Sequence, residues 1–154
     1  MRVLLLALVC AVSLSGCLPM AIFANSNGSA YQGKYNSWGT VTASREVNAF
    51  CISPKLRLLI WDFEGRFGKK VIMQSGYRDA FHNGQAGGAE SSYHMKCMAA
   101  DFYIPGVPKG ELIAFAMNNS AVGGLGCYPG RSFIHVDIRD RPRGYTRPVL
   151  FSGC

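Results

Sequence analysis

Apolar and polar residues alternate most informatively from Cys51 onward. Ser53-Pro54 has the form of a helix N-cap followed by proline at the first helical position, where no backbone N–H is needed. Leu56, Leu59, Ile60, Phe63 and Phe67 then recur at helical spacing, and glycines 65 and 68 mark the end. Val71-Ile72-Met73 reads as a short buried strand running into Ser75-Gly76-Tyr77-Arg78. A polar, glycine-rich loop is expected from Asn83 to Ser92. Ala99 to Ile104 reads as a second strand closed by Pro105-Gly106, and Pro108 to Asn118 as a helix carrying Leu112, Ile113, Phe115 and Ala116. Gly123 to Gly126 reads as a tight segment, and Ser132 to Ile138 alternates as a strand. Strands separated by helices in so short a chain predict an α+β fold, with helices on one face of a small antiparallel sheet.

The residues before this patterned region read differently. Met1-Arg2 is a positive start, and Val3 to Leu14 is almost wholly apolar, the length of a signal-peptide core and short for a membrane span. Leu14-Ser15-Gly16-Cys17 matches the bacterial lipobox, in which the thiol is acylated. Residues 1–16 are therefore expected to be a lipoprotein signal peptide. Residues 17–40, rich in Ser, Asn, Gly and Ala, are expected to be a lipidated N-terminus and flexible tether, leaving 41–154 as one domain. Leu18, where an inner-membrane retention signal would show aspartate, points to the outer membrane, facing the periplasm.

Composition narrows the class. Hydrophobic residues are 49% and charged residues 16%, which excludes a disordered chain. The net charge of +7 is spread over scattered residues (Lys69, Lys70, Arg139, Arg141, Arg143, Arg147), with no basic helix to frame a nucleic-acid site. Anionic cell-wall polymer or lipid headgroups account for it better. Of six cysteines, Cys10 leaves with the signal and Cys17 would carry lipid. Cys51, Cys97, Cys127 and Cys154 remain, an even number in an oxidising compartment, and read as two disulfides with three possible connectivities. Cys51–Cys154 with Cys97–Cys127 is the favoured pairing, tying the C-terminus to the main helix and bracing two loops.

The chain has three histidines, His82, His94 and His135. Asp101 follows His94 by seven residues, and Asp137 follows His135 by two. Imidazole and carboxylate are ligands that zinc accepts, and three of them with an open fourth position mark a catalytic site. Spacing alone favours a surface histidine and a strand-starting aspartate.

The wording around these residues goes further. Ser75-Gly76-Tyr77-Arg78, then Ser92-x-His94-x6-Asp101, then Phe133-x-His135-x-Asp137, in that order, resemble the zinc D-alanyl-D-alanine carboxypeptidase and murein endopeptidase superfamily, whose scaffold animal hedgehog domains share. The likeness covers residues 50 to 140 and is greatest to small exported peptidases of Gram-negative bacteria. It implies a zinc site in a cleft on the sheet, one Zn2+ held by His94, Asp101 and His135, and Arg78 stabilising the oxyanion. The implied substrates are the stem or crosslink peptides of peptidoglycan, cleaved by a monomeric endopeptidase or carboxypeptidase. Ser92 and His82 are candidates for substrate contact, as is Tyr128; His82 could instead cap its loop and Tyr128 could pack.

Two departures from the family pattern stand out. Cys97 occupies a place that is commonly glycine, and its thiolate could replace Asp101 as a ligand. The Glu or His that activates water in several relatives falls on Ser132 or Phe133. Asp137 shares a strand face with His135 and could take the proton from the attacking water, or hold the imidazole by its other nitrogen. Glu90, near His94 on the expected loop, is a weaker candidate base. The missing upstream base gives the alternative function its foothold: a non-catalytic, zinc-containing module that binds peptidoglycan.

Overall fold

In the computed structural model, residues 34–35, 39–44 and 46–154 are described. The expected signal peptide, Cys17 and most of the expected tether lie outside them. The elements run β1 (Lys34–Tyr35), β2 (Val41–Thr42), α1 (Pro54–Phe67), β3 (Ile72–Ser75), α2 (Ala80–Gln85), a 3-10 turn (Tyr93–Lys96), β4 (Ala99–Tyr103), α3 (Lys109–Asn118), β5 (Gly124–Gly126), β6 (Ile134–Asp137) and β7 (Val149–Phe151). β1 falls within the stretch read as tether.

Helix α1 forms where its sequence signals lie. Ser53 Oγ accepts the N–H of Leu56 at 3.3 Å, and Gly68, at φ 61°, closes the helix in the left-handed conformation that glycine adopts without a Cβ clash. Leu56, Leu59, Ile60 and Phe63 are buried along one stripe. They share a core with Leu112 and Ala116 of α3 and with Ala100, Phe102, Ile134 and Val136 of the sheet. Phe63 meets Phe102 and Phe115 edge-on, at ring distances of 5.0 and 4.7 Å, and so links both long helices to β4.

Among the described residues the strands form one sheet in the order β1-β2-β3-β4-β6-β5-β7. The expectation of an antiparallel sheet holds for its centre and is corrected at both margins. β2 pairs parallel to β3, because α1 carries the chain back between them, and β7 pairs parallel to β5. The Gly123–Gly126 stretch, read as a tight segment, contains β5, paired Gly124↔Asp137, Leu125↔Val136 and Gly126↔His135. Its glycines hide the alternation that would have marked a strand. Part of the expected loop from Asn83 is the end of α2, capped by Asp79, whose side chain accepts the N–H of His82 at 2.8 Å.

The disulfide pairing also needs correction: the bridges are Cys51–Cys97 and Cys127–Cys154. Ser53 N–H donates to the carbonyl of Cys97 at 3.0 Å, which seats the end of the 3-10 turn beside the start of α1 and leaves Cys51 no route to the C-terminus. Cys127 follows β5, and Gly126 pairs with Phe151 of β7, so Cys127 lies next to the last residues of the chain.

Strand alternation sorts the two faces. Ala100, Phe102, Ile134 and Val136 point to the helices; Asp101, His135 and Asp137 point to the other side.

Candidate metal centre

The site is assembled by register. Ser75 of β3 is opposite Asp101 of β4, Asp101 is opposite His135 of β6, His135 is opposite Gly126 of β5, and Gly126 is opposite Phe151 of β7. One row across the sheet therefore carries a hydroxyl, a carboxylate, an imidazole, a gap and a phenyl ring. Gly126 has to be the gap: a Cβ there would lie 2.8 Å from the Phe151 ring and 3.2 Å from both His135 Cβ and the Tyr128 ring.

His94 enters from above this row, on the 3-10 turn. Its Nδ1–H donates to the Gly76 carbonyl at 2.6 Å, which leaves Nε2 as a bare acceptor. His135 is held in the opposite sense: Nε2–H donates to Asp137 Oδ2 at 3.1 Å, leaving Nδ1 bare. Three acceptor atoms then converge. His94 Nε2 is 3.1 Å from His135 Nδ1 and 3.2 Å from Asp101 Oδ1, and His135 Nδ1 is 2.8 Å from that same oxygen. Ligands about 2.0–2.1 Å from a tetrahedral zinc sit roughly 3.3 Å from one another, so this triangle is close to one face of such a tetrahedron. His94, Asp101 and His135 are all buried, and their donor atoms lie within 4.8 Å of one another. Three lone pairs facing each other, with their protons directed outward to Gly76 and Asp137, fit a divalent cation.

Charge is arranged to match. Burial alone would raise the Asp101 pKa, but without metal a second proton on His135 or His94 would be donated to its carboxylate, and this holds it well below the ordinary carboxylate range. Arg78 Nη2 also donates to Asp101 Oδ2 at 2.6 Å, and Arg78 Nε donates to Ser75 Oγ at 2.8 Å. Burial would lower the His135 pKa, yet Asp101 and Asp137 on either side raise it.

Asp137 meets His135 at Nε2, while Nδ1 faces Asp101. It is fully buried, on the side of the His135 ring away from the acceptor triangle. His135 Nε2 and the Arg139 guanidinium and backbone N–H engage its oxygens. Those partners keep its pKa near 2, although burial opposes this. The geometry is that of a carboxylate orienting an imidazole, because residues two apart on β6 share a face and the ring lies between.

The other candidates divide. Arg78 stands beside the triangle and remains partly exposed, with 19% of its side-chain area open. Tyr128 is half-buried, and its pKa is raised first by burial and then by the charge of Asp101, so its hydroxyl lies within the field of the site. Ser92 caps the 3-10 turn, its Oγ accepting the His94 N–H at 3.3 Å. His82 is exposed on α2, paired with Asp79 at 2.7 Å, and lines a groove of about 340 Å³ with Arg78, Tyr77, Gln74 and Asn48. Glu90 is exposed. Cys97 is bridged to Cys51, so its sulfur is not a thiolate ligand. It sits at φ 58°, a conformation that explains why glycine is common there.

Sequence reasoning missed Arg139, Ser75 and Phe151. The two-residue period that aligned Asp137 with His135 extends one step further to Arg139, and following it would have found that residue.

These features define a site that could hold a metal ion, and the chain belongs to the peptidase M15 family, whose model matches residues 29–137. The superfamily expected from the sequence motifs is thereby borne out. Over 93 residues the chain is 36% identical to the peptidoglycan L,D-endopeptidase MepK of Escherichia coli (strain K12), covering 56% of this chain and 50% of that protein. Over 69 residues it is 45% identical to the probable peptidoglycan L,D-endopeptidase MepK of Haemophilus influenzae (strain ATCC 51907 / DSM 11121 / KW20 / Rd), covering 40% and 36%. The chain spans about half the length of the curated relatives it matches, or less.

Proposed function

We propose that this protein is a zinc-dependent peptidase that hydrolyses peptide bonds of peptidoglycan, with His94, Asp101 and His135 as ligands of one Zn2+. The observation that carries this reading is the triangle of three bare acceptor atoms, 2.8–3.2 Å apart, at the centre of a buried face. When bound, the ion would polarise the scissile carbonyl and lower the pKa of the attacking water. Gly76 and Asp137 fix the tautomers of the two ligating rings. Arg78, anchored on Asp101 and Ser75 and still partly exposed, donates hydrogen bonds to the oxyanion as it forms. Tyr128, half-buried beside the site, supplies a phenolic O–H donor to the substrate. His82 contacts the substrate chain along the groove it shares with Arg78.

The bond we propose is an L,D linkage in a crosslink peptide, as the names of the two relatives favour. Residues 1–16 would direct export, and Cys17 would anchor a monomer to the outer membrane within reach of the wall.

The test is incubation of the purified protein with defined muropeptides, crosslinked through L,D or D,D bonds and uncrosslinked. Each is run with chelator, and again after zinc is restored. Cleavage of the L,D-crosslinked substrate, lost with chelator and regained with zinc, is expected. A zinc-loaded protein that cleaves none of the three would overturn the peptidase reading in favour of a wall-binding module.

A further inference from the structure

Beyond the ligands and Asp137 lies a residue that the sequence showed only as one of several scattered charges. We propose that Arg139 is a positioning residue of the metal centre: by gripping both oxygens of Asp137 it fixes the carboxylate that in turn fixes the ring of His135. The proposal rests on the metal-binding reading of the site given above.

Four observations carry it. First, the grip is forked. Arg139 Nε donates to Asp137 Oδ1 at 2.8 Å, Nη2 donates to Oδ2, and the backbone N–H of Arg139 adds a third bond to Oδ1 at 3.1 Å. A planar guanidinium matches a carboxylate edge in this way, whereas an ammonium group offers only a point charge. Second, the guanidinium is itself held, lying over the rings of Tyr93 at 4.5 Å and Phe151 at 5.3 Å. Tyr93 directly precedes the ligand His94, and the Phe151 ring meets the His135 ring at 5.1 Å. One arginine thus touches the surroundings of both ligating histidines. Third, the neighbouring strand makes room for it. A Cβ on Gly124 would come within 2.4 Å of Asp137 Oδ2 and 2.7 Å of Arg139 Nε, so only glycine leaves this pair its place. Fourth, Asp137 has no exposed surface, and a buried carboxylate left with a neutral histidine alone would be poorly compensated.

The full chain and its Arg139→Gln and Arg139→Lys variants would be titrated with zinc against a chromophoric chelator. Their cobalt-substituted forms would be compared by visible absorption. Arg143→Gln, at an exposed arginine four positions further along the chain, serves as the charge control. We expect Arg139→Gln to lose zinc affinity by about tenfold, the low end of the loss on removing a direct partner of a ligating histidine, and to change the cobalt spectrum. Arg139→Lys should fall between Arg139→Gln and the unaltered chain, and Arg143→Gln should match the unaltered chain. On a cleavable substrate, kcat should fall with little change in KM, since Arg139 makes no contact with bound peptide in this scheme.

Zinc affinities within twofold of the unaltered chain in both Arg139 variants, with unchanged spectra, would overturn the proposal. Should Arg139→Gln fail to fold, unaltered affinity in Arg139→Lys is enough by itself to overturn it. An unaltered chain that binds no metal sinks the site reading and this proposal together. Tight metal binding without peptide cleavage sinks only the peptidase reading.

Discussion

His135 faces Asp101 through Nδ1 and Asp137 through Nε2, and that double contact sets a pH dependence of opposite sign with and without metal. Without metal, a second proton on the ring bridges two carboxylates, so the folded pKa lies above its ordinary value near 6.5. A raised histidine pKa contributes stability that is fully present below about pH 6.5 and is lost as pH rises through the folded value. A metal needs the bare Nδ1, and so competes with that same proton; its contribution grows over the interval in which the proton leaves. Thermal melts between pH 6 and 8 should therefore show the metal-free protein losing stability with rising pH. The gap in Tm between zinc-loaded and metal-free protein should widen. Parallel curves would mean that His135 is not where proton and metal compete. Asp137 acts at the other end of the scale: its depressed pKa contributes stability above about pH 4 that is lost as pH falls toward 2.

Elements that announce themselves by pattern were legible in the sequence; those that exist to make space were not. α1, β4, α3 and β6 carry apolar residues at periods of 3.6 or 2, and the structure forms each of them within a few residues of its expected bounds. With β4 and β6 came two of the three proposed ligands, since Asp101 and His135 sit at alternating positions next to apolar neighbours. β5 carried no such signal, because Gly124 and Gly126 give their side-chain space to Asp137, Arg139 and Phe151. Disulfide pairing was illegible for a different reason: it depends on long-range facts, the 3-10 turn meeting the start of α1 and β7 lying parallel to β5. The glycines yield a contrasting pair of substitutions. Gly124→Ala should destabilise the fold by about 1–3 kcal/mol through overpacking, and weaken zinc binding with it. Gly65→Ala, on the exposed side of α1 with nothing within 4 Å of the added carbon, should stabilise by about 0.5–1 kcal/mol. Chemical denaturation of both variants decides this; equal effects would mean that the space beside Asp137 is not reserved. The Cys51–Cys97 bridge closes a span of 46 residues, so its loss should cost about 4 kcal/mol on chain entropy. A folded Cys97→Ser protein should nonetheless keep one zinc per chain, because sulfur is not in the ligand triangle. Loss of that zinc from folded protein would reinstate the thiolate.

The whole molecule is a cation, and four of its nine acidic residues are held in ion pairs. Among the nine acidic residues, Asp101, Asp137, Glu64 and Asp79 already face Arg78, Arg139, Lys70 and His82, while the formal net charge is +7. The excess positive charge therefore belongs mainly to exposed lysines and arginines such as Lys55, Arg131, Arg143 and Arg147. Their field extends about a Debye length into solvent, about 10 Å at 0.1 M salt and about 3 Å at 1 M. On the function proposed above, a polymeric anionic wall would span that field, whereas a single short muropeptide would sample only the site. Binding to insoluble sacculi should then fall steeply as salt rises from 0.1 to 1 M, and cleavage of a soluble muropeptide should fall much less. Co-sedimentation and product release, measured on one preparation across the same salt series, give the comparison. If both decline together, the charge acts inside the site, through Arg78 and its neighbours, and the surface lysines and arginines do not recruit the wall. If neither declines, the charge serves neither purpose, and recruitment would rest on the groove beside Arg78 alone.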